Sequence, residues 1–119
     1  MLPGLEEGRF LTGEDTPQDI ARFYRERGAK LVAVKLGPEG AWYDGPEGSG
    51  RVPGFPVPQV VDTVGAGDGF AVGVVSALLA GRGIADAVRR GCWIGARAAQ
   101  VLGDTEGLPT QAELKQAGL

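Results

Sequence analysis

The sequence predicts an α/β fold built on parallel strands, and three observations point there. Residues 17–36 read as helix, glycine, strand: Ile20, Phe23 and Tyr24 recur at helical spacing, Gly28 stops the helix, and KLVAVKL at 30–36 is a β-branched apolar run. Helix, glycine, strand is half of a parallel α/β unit, so the loop after residue 36 falls at the carboxyl end of a strand, where open parallel sheets bind ligands. Residues 60–79, VVDTVGAGDGFAVGVVSALL, read as strand, glycine turn, helix. Finally, 119 residues suit one domain or part of one, and the 21 glycines and 8 prolines are spread among apolar periodic segments, as loops between compact elements would be.

Taken in order, residues 2–13 predict a turn and a short helix with Leu5, Phe10 and Leu11 as its apolar side, ended by Thr12 and Gly13. Asp15 or Thr16 caps the next helix, with Pro17 in its first turn and Gln18, Asp19, Arg22, Arg25 and Glu26 facing water. After the strand comes the turn Gly37, Pro38, Glu39, Gly40, and Trp42 and Tyr43 beyond it are expected to pack on the sheet. Residues 42–57 read as two short strands around a mobile, exposed loop at 44–50, with Pro53, Pro56 and Pro58 confining the second strand to an edge. No repeat or linker divides the chain.

Residues 70–81 form a nearly all-apolar helix, in which Gly69, Gly73 and Ala77 make a small-residue stripe for close packing against the sheet. Residues 84–102 form an amphipathic helix with Ala85, Val88, Cys92 and Gly95 or Ala96 on one face and Arg89, Arg90 and Arg97 on the other. Cys92 reads as a small core residue. An acidic turn at 103–109 precedes a short helix started by Thr110.

Composition narrows the function classes. The formal charge of -3, with no basic cluster interleaved with aromatics, argues against a nucleic-acid or anionic-membrane surface. The apolar run at 70–80 is too short to span a bilayer, and residues 1–4 show no secretory leader. A single cysteine forms no intrachain disulfide, which is compatible with a cytoplasmic location. The absence of histidine excludes Ser-His, Cys-His and His-ligated zinc chemistry within the chain. Carboxylates, lysines, backbone amides or a borrowed metal are left.

Those groups meet at residues 60–79. A glycine turn opening a helix presents unpaired N–H groups and the positive end of the helix dipole to an anion. Asp68 stands at the lip of that site. A carboxylate aimed at a phosphate is repelled by it, and accepting a proton from an attacking hydroxyl is a reason for it to be there. The bland alternative is a glycine-rich turn whose Asp only caps a helix. The stretch is no Walker A loop, since no Gly-Lys-Ser/Thr follows, and its glycine spacing does not match a dinucleotide fingerprint.

Asp62 to Asp68, DTVGAGD, resembles without a gap the second signature, D-T-x-G-A-G-D, of the PfkB (ribokinase-like) carbohydrate kinases. The resemblance implies a three-layer α/β/α fold, a mostly parallel sheet with a short antiparallel hairpin, of which residues 1–119 are the C-terminal, nucleotide-binding part and from which the N-terminal sugar-binding and lid part is absent. It implies an anion hole from Gly65, Ala66 and Gly67, Asp68 as catalytic base, and a nucleotide loop from Gly37, Pro38, Glu39 and Gly40. Glu6 and Glu7 resemble a short acidic motif of the family. Asp62 and Val64 fit a monovalent cation site for K⁺, although Gly107 stands where a hydroxyl ligand often occurs, and Cys92 replaces an Asn that contacts the adenine end. Residues 103–109, GDTEGLP, are similar to the 2-keto-3-deoxygluconate kinase subgroup, where Asp104 is a substrate-side residue; an acidic surface turn is the alternative.

The implied activity is ATP- and Mg²⁺-dependent phosphorylation of a sugar or sugar-acid hydroxyl, as part of an enzyme whose missing N-terminal portion, or another copy of the chain, would be a partner. The alternative is a truncated nucleotide- or anion-binding module with no activity of its own.

Overall fold

In the computed structural model, which describes residues 1–55, 66–98 and 110–119, α1 (Leu5–Thr12) and α2 (Pro17–Glu26) precede a hairpin-like sheet of β1 (Val32–Lys35), β2 (Ala41–Gly45) and β3 (Gly48–Val52). Helices α3 (Ala66–Leu79), α4 (Ile84–Ala98) and α5 (Gln111–Gln116) follow. Thr16 caps α2, its hydroxyl accepting from the Asp19 amide, and Gly13 ends α1 in the left-handed region at φ 78°. Thr110 and Glu113 form a reciprocal capping box on α5.

The three strands are antiparallel in the order β1-β2-β3. Residues 1–4 line the other edge of β1: Gly4 bridges Lys35 in parallel, and the amides of Ala33 and Lys35 donate to the carbonyls of Met1 (3.0 Å) and Pro3 (2.9 Å). This makes β1 a central strand with a parallel neighbour on one side. Its residues alternate between two cores, as a strand buried on both faces requires. Val32 and Val34 join Ile20 and Ala21 of α2, with Leu5, Tyr24 and Trp42 around them. Ala33 joins Ala41, Val52, Phe70, Val74, Ala77, Val88 and Cys92 on the other face. Helices, sheet and helices therefore form three layers of an α/β architecture.

Several elements depart from the sequence reading for identifiable reasons. In α1 the inward positions are Leu5 and Gly8, the latter packed so tightly that an added Cβ would lie 2.8 Å from Ile20 Cγ2. Phe10 and Leu11 are turned outward, 87% and 60% exposed, because a glycine rather than a large residue marks the contact face. The expected loop at 44–50 is mostly strand: β2 and β3 pair through Gly45 and Gly48, leaving a two-residue turn at Pro46 and Glu47. Gly50 is covered, since the Tyr43 ring lies where its side chain would go.

The small-residue stripe of α3 faces α4 and not the sheet. A Cβ on Gly73 would fall 2.6 Å from Gly91 Cα, so the two helix backbones touch at paired glycines. On α4 the apolar face is wider than expected and takes in Arg90, which is 5% exposed, whereas Ala85 is exposed. Arg90 donates to Ser76 Oγ (3.2 Å) and the Leu119 carbonyl (2.6 Å); it does not solvate the helix. Burial and the nearby Arg82 both lower its pKa. Arg25 is likewise only half-exposed, donating to the carbonyls of Ala29 and Lys30 and pairing with Asp44 at 3.5 Å.

Cys92 is buried, which pushes its thiol up to about 11, in keeping with a core residue. The strand expected at 60–61, Pro56, Pro58, residues 99–102 of the long helix and the 103–109 turn lie outside the described residues. No described helix is long and apolar enough to cross a membrane.

Candidate active site

Helix α3 begins inside the glycine signature, not after it, and this decides how the site is built. Ala66 and Gly67 are its first residues, so their amides belong to the orphan N–H groups of a helix N-terminus. Asp68 occupies the first turn, where the helix dipole favours a carboxylate, and its side chain is exposed. It is thus open to an incoming group. Gly65, Asp62, Val64 and Asp104 lie outside the described residues.

The other half of the site is the turn that follows β1. Gly37–Glu39 is one turn of 3₁₀ helix, with Gly37 at φ 62° and Gly40 at φ 103°, conformations open to glycine at little cost. Gly37, Pro38 and Glu39 are exposed and Gly40 is buried. The Leu36 amide donates to the Gly40 carbonyl at 2.8 Å, closing the turn.

Its back rests on the exit of β3. A Cβ on Gly40 would overlap the Val52 carbonyl, and one on Gly54 the Pro38 carbonyl. Arg51 donates from Nη2 to the Glu39 carbonyl at 2.9 Å. The shape of the turn is therefore imposed by the segment that leads on toward the glycine signature.

Lys35 joins the two halves. It is the last residue of β1, two before Gly37, and its Nζ lies 3.5 Å from the position a Gly67 side chain would occupy and 6.0 Å from the centre of the Phe70 ring. No carboxylate pairs with it among the described residues. A half-buried ammonium beside the positive end of a helix is an arrangement of like charges, and an anion held between them turns repulsion into attraction on both sides. Lys35, Arg51 and Gly54 were not marked as site residues by sequence reasoning. In the sequence Lys35 is one of two lysines in the run 30–36, and nothing there sets it apart from Lys30.

A strand end, a glycine turn and a helix N-terminus bearing an exposed carboxylate thus meet in an α/β protein. The model of the pfkB family carbohydrate kinases matches residues 1–111, and the chain belongs to that family. The 2-dehydro-3-deoxygluconokinase of Bacillus subtilis (strain 168) is 54% identical over 113 residues, 95% of this chain and 35% of the relative. The crystal structure of a PfkB protein from Polaromonas sp. JS666 is 67% identical with a TM-score of 0.83, covering 96% of this chain and 34% of that one. A putative ribokinase II from E. coli, solved in complex with ATP and Mg²⁺, superposes with a TM-score of 0.86 at 30% identity, covering 97% of this chain and 37% of that one. The chain spans about a third of the length of the relatives it matches.

Proposed function

We propose that this chain is the C-terminal, phosphoryl-transferring part of an ATP-dependent carbohydrate kinase whose acceptor is the hydroxyl of a sugar or sugar acid of the 2-keto-3-deoxygluconate type. The observation that carries this reading is the meeting of Lys35 with Gly67 at the start of α3, which joins the glycine turn after β1 to the helix end that displays Asp68.

The residues present fit a nucleotide. The exposed turn of Gly37, Pro38 and Glu39, with Gly40 beneath it, offers backbone to its phosphates and ribose. The Ala66 and Gly67 amides, with Gly65 before them, receive the charge of the transferring group, and the Lys35 ammonium adds to it. Asp68 accepts the proton of the attacking hydroxyl. The transferring phosphoryl group needs little covalent help, so alignment and charge neutralisation do most of the catalysis. Mg²⁺, bound with ATP, supplies further neutralisation of phosphate charge. We assign Asp62 and Val64 to a K⁺ site, Asp104 to the substrate side and the reaction to the cytoplasm, on the resemblances given above.

A second reading is a nucleotide- or anion-binding module that does not turn over alone, favoured by the chain's span of only 35% of the Bacillus subtilis relative. Calorimetric titration with ATP and an ATP-consumption assay with 2-keto-3-deoxygluconate, ribose and fructose separate the two. Binding that weakens with salt is expected on both. Turnover by the isolated chain excludes the module reading, and no ATP binding at all removes both.

A further inference from the structure

The turn after β1 can be followed one backbone oxygen at a time. The Leu36 carbonyl accepts from the Glu39 amide (3.3 Å) and the Gly37 carbonyl from the Gly40 amide (3.2 Å). The Pro38 carbonyl lies against Gly54. The Glu39 carbonyl accepts from Arg51 Nη2 at 2.9 Å. Every carbonyl of residues 36–39 is therefore engaged or covered, whereas the Gly37 amide finds no partner among the described residues. A loop that lies along phosphates needs this imbalance, because a free carbonyl oxygen repels them and a free N–H attracts them.

Three of the four oxygens are held by main chain, and the fourth depends on one side chain. Arg51 stands on β3 opposite Trp42, so its stem reaches back past the start of β2 to the turn. It forms no ion pair among the described residues, and its guanidinium is spent on a main-chain oxygen.

Gly40 is what makes that bond matter. The peptide between Glu39 and Gly40 turns over if φ of Gly40 changes sign, and glycine takes either sign at similar cost. Gly40 stands at φ 103°, and the bond within the turn that opposes reversal is a 3₁₀ contact of 3.2 Å, a weak geometry. A reversed peptide would release the Glu39 oxygen from Arg51. The arginine thus selects the orientation in which that oxygen is engaged.

We infer that Arg51 is a positioning residue for the nucleotide: it fixes the peptide between Glu39 and Gly40 so that the turn offers amide, and withholds carbonyl oxygen, from the phosphates. It acts through the turn and does not touch the ligand. The inference rests on the kinase reading for the identity of the ligand and on the hydrogen bonds of the turn for the mechanism.

The test reads turn and ligand separately in the 119-residue chain. Without nucleotide, hydrogen exchange of the Gly40 amide, followed by nuclear magnetic resonance, is expected to be about tenfold or more faster in Arg51→Met, with amides along β2 and β3 unchanged. By calorimetry ATP should bind that variant about tenfold more weakly. Arg51→Lys, whose ammonium still donates, should return both values to within about threefold of the parent. Ser49→Ala, at another exposed position of β3, should change neither.

Weaker ATP binding with Gly40 exchange unchanged would overturn the inference, since Arg51 would then meet the phosphates itself. So would faster exchange with ATP binding unchanged, or faster exchange shared equally by β2 and β3, which would make Arg51 a strand-pairing residue. Failure of the parent to bind ATP is a different result: it removes the kinase reading and this inference with it, whereas ATP binding indifferent to Arg51→Met removes the inference alone. Should the chain not fold by itself, the same variants in a single-chain fusion to the remaining two-thirds of the Bacillus subtilis relative give the same readouts.

Discussion

At the scale of single residues, the proposed function gives Asp68 and Lys35 opposite tasks at one helix end, and substitution would separate them. On that proposal Asp68 takes a proton only as the bond to phosphorus forms, so in an enzyme completed by the relative's remaining two-thirds we expect Asp68→Asn to lower kcat by about a hundred- to ten-thousandfold with ATP affinity little changed. Equal losses in both would count against its role as base. The same proposal has Lys35 act on the bound phosphates throughout, so Lys35→Met should weaken ATP binding by about 1.5–3 kcal/mol while leaving adenosine binding alone, as calorimetry with the two ligands would show. Equal loss for both ligands would mean that Lys35 only packs against Phe70. Asp68 could be singled out in the sequence because its neighbours form a seven-residue signature. Lys35 could not, because what marks it is distance to Gly67, and that depends on the packing of α3 against the end of β1.

Among the elements, most helices and strands were plain from periodicity, the hairpin at 44–50 excepted, while the faces they bury were not. A hydrophobic pattern ranks large side chains as inward, yet α1 turns Gly8 to Ile20 and leaves Phe10 in solvent, and α3 meets α4 through glycine on glycine. Close approach of backbones is selected by the absence of a side chain, which a search for apolar stripes does not register. The contact at Gly73 tests this account. Alanine there raises helix propensity by about 1 kcal/mol, but its methyl would lie 2.6 Å from Gly91 Cα, and backbone cannot rotate aside as a flexible side chain does. We therefore expect Gly73→Ala to be destabilising by about 1–3 kcal/mol in urea unfolding followed by circular dichroism. A gain in stability would show that the two helices can part there without loss.

For the whole molecule, the three layers followed in the sequence from the resemblance carried by Asp62 to Asp68, and the structure shows β1 alternating between two cores, whereas the seating of the final helix depends on contacts between residues far apart in the sequence. Ile94 packs with Leu114 and Leu119, Trp93 lies against them, and Arg97 forms an ion pair with Glu113. These tie α5 to α4, and they set how the protein responds to pH. There is no histidine, so no side chain of ordinary pKa titrates near neutrality. In acid, Glu113 is the group to watch. The Thr110 amide first, and the Arg97 guanidinium second, hold its carboxyl below the usual carboxylate range. A depressed folded-state pKa contributes stability above the unfolded value and loses it as pH falls through the folded value, so the loss comes below the ordinary glutamate pKa of about 4.3. With the capping box and the ion pair both gone, α5 is expected to leave Trp93 before the sheet melts. In a Trp42→Phe background, Trp93 emission should shift to the red at a higher pH than the far-ultraviolet dichroism collapses. Glu113→Ala, which removes both the capping acceptor and the ion-pair partner of Arg97, should show the shifted emission already at neutral pH and little change on acidification. If that variant instead follows the same acid curve as its parent, another carboxylate governs the seating of α5.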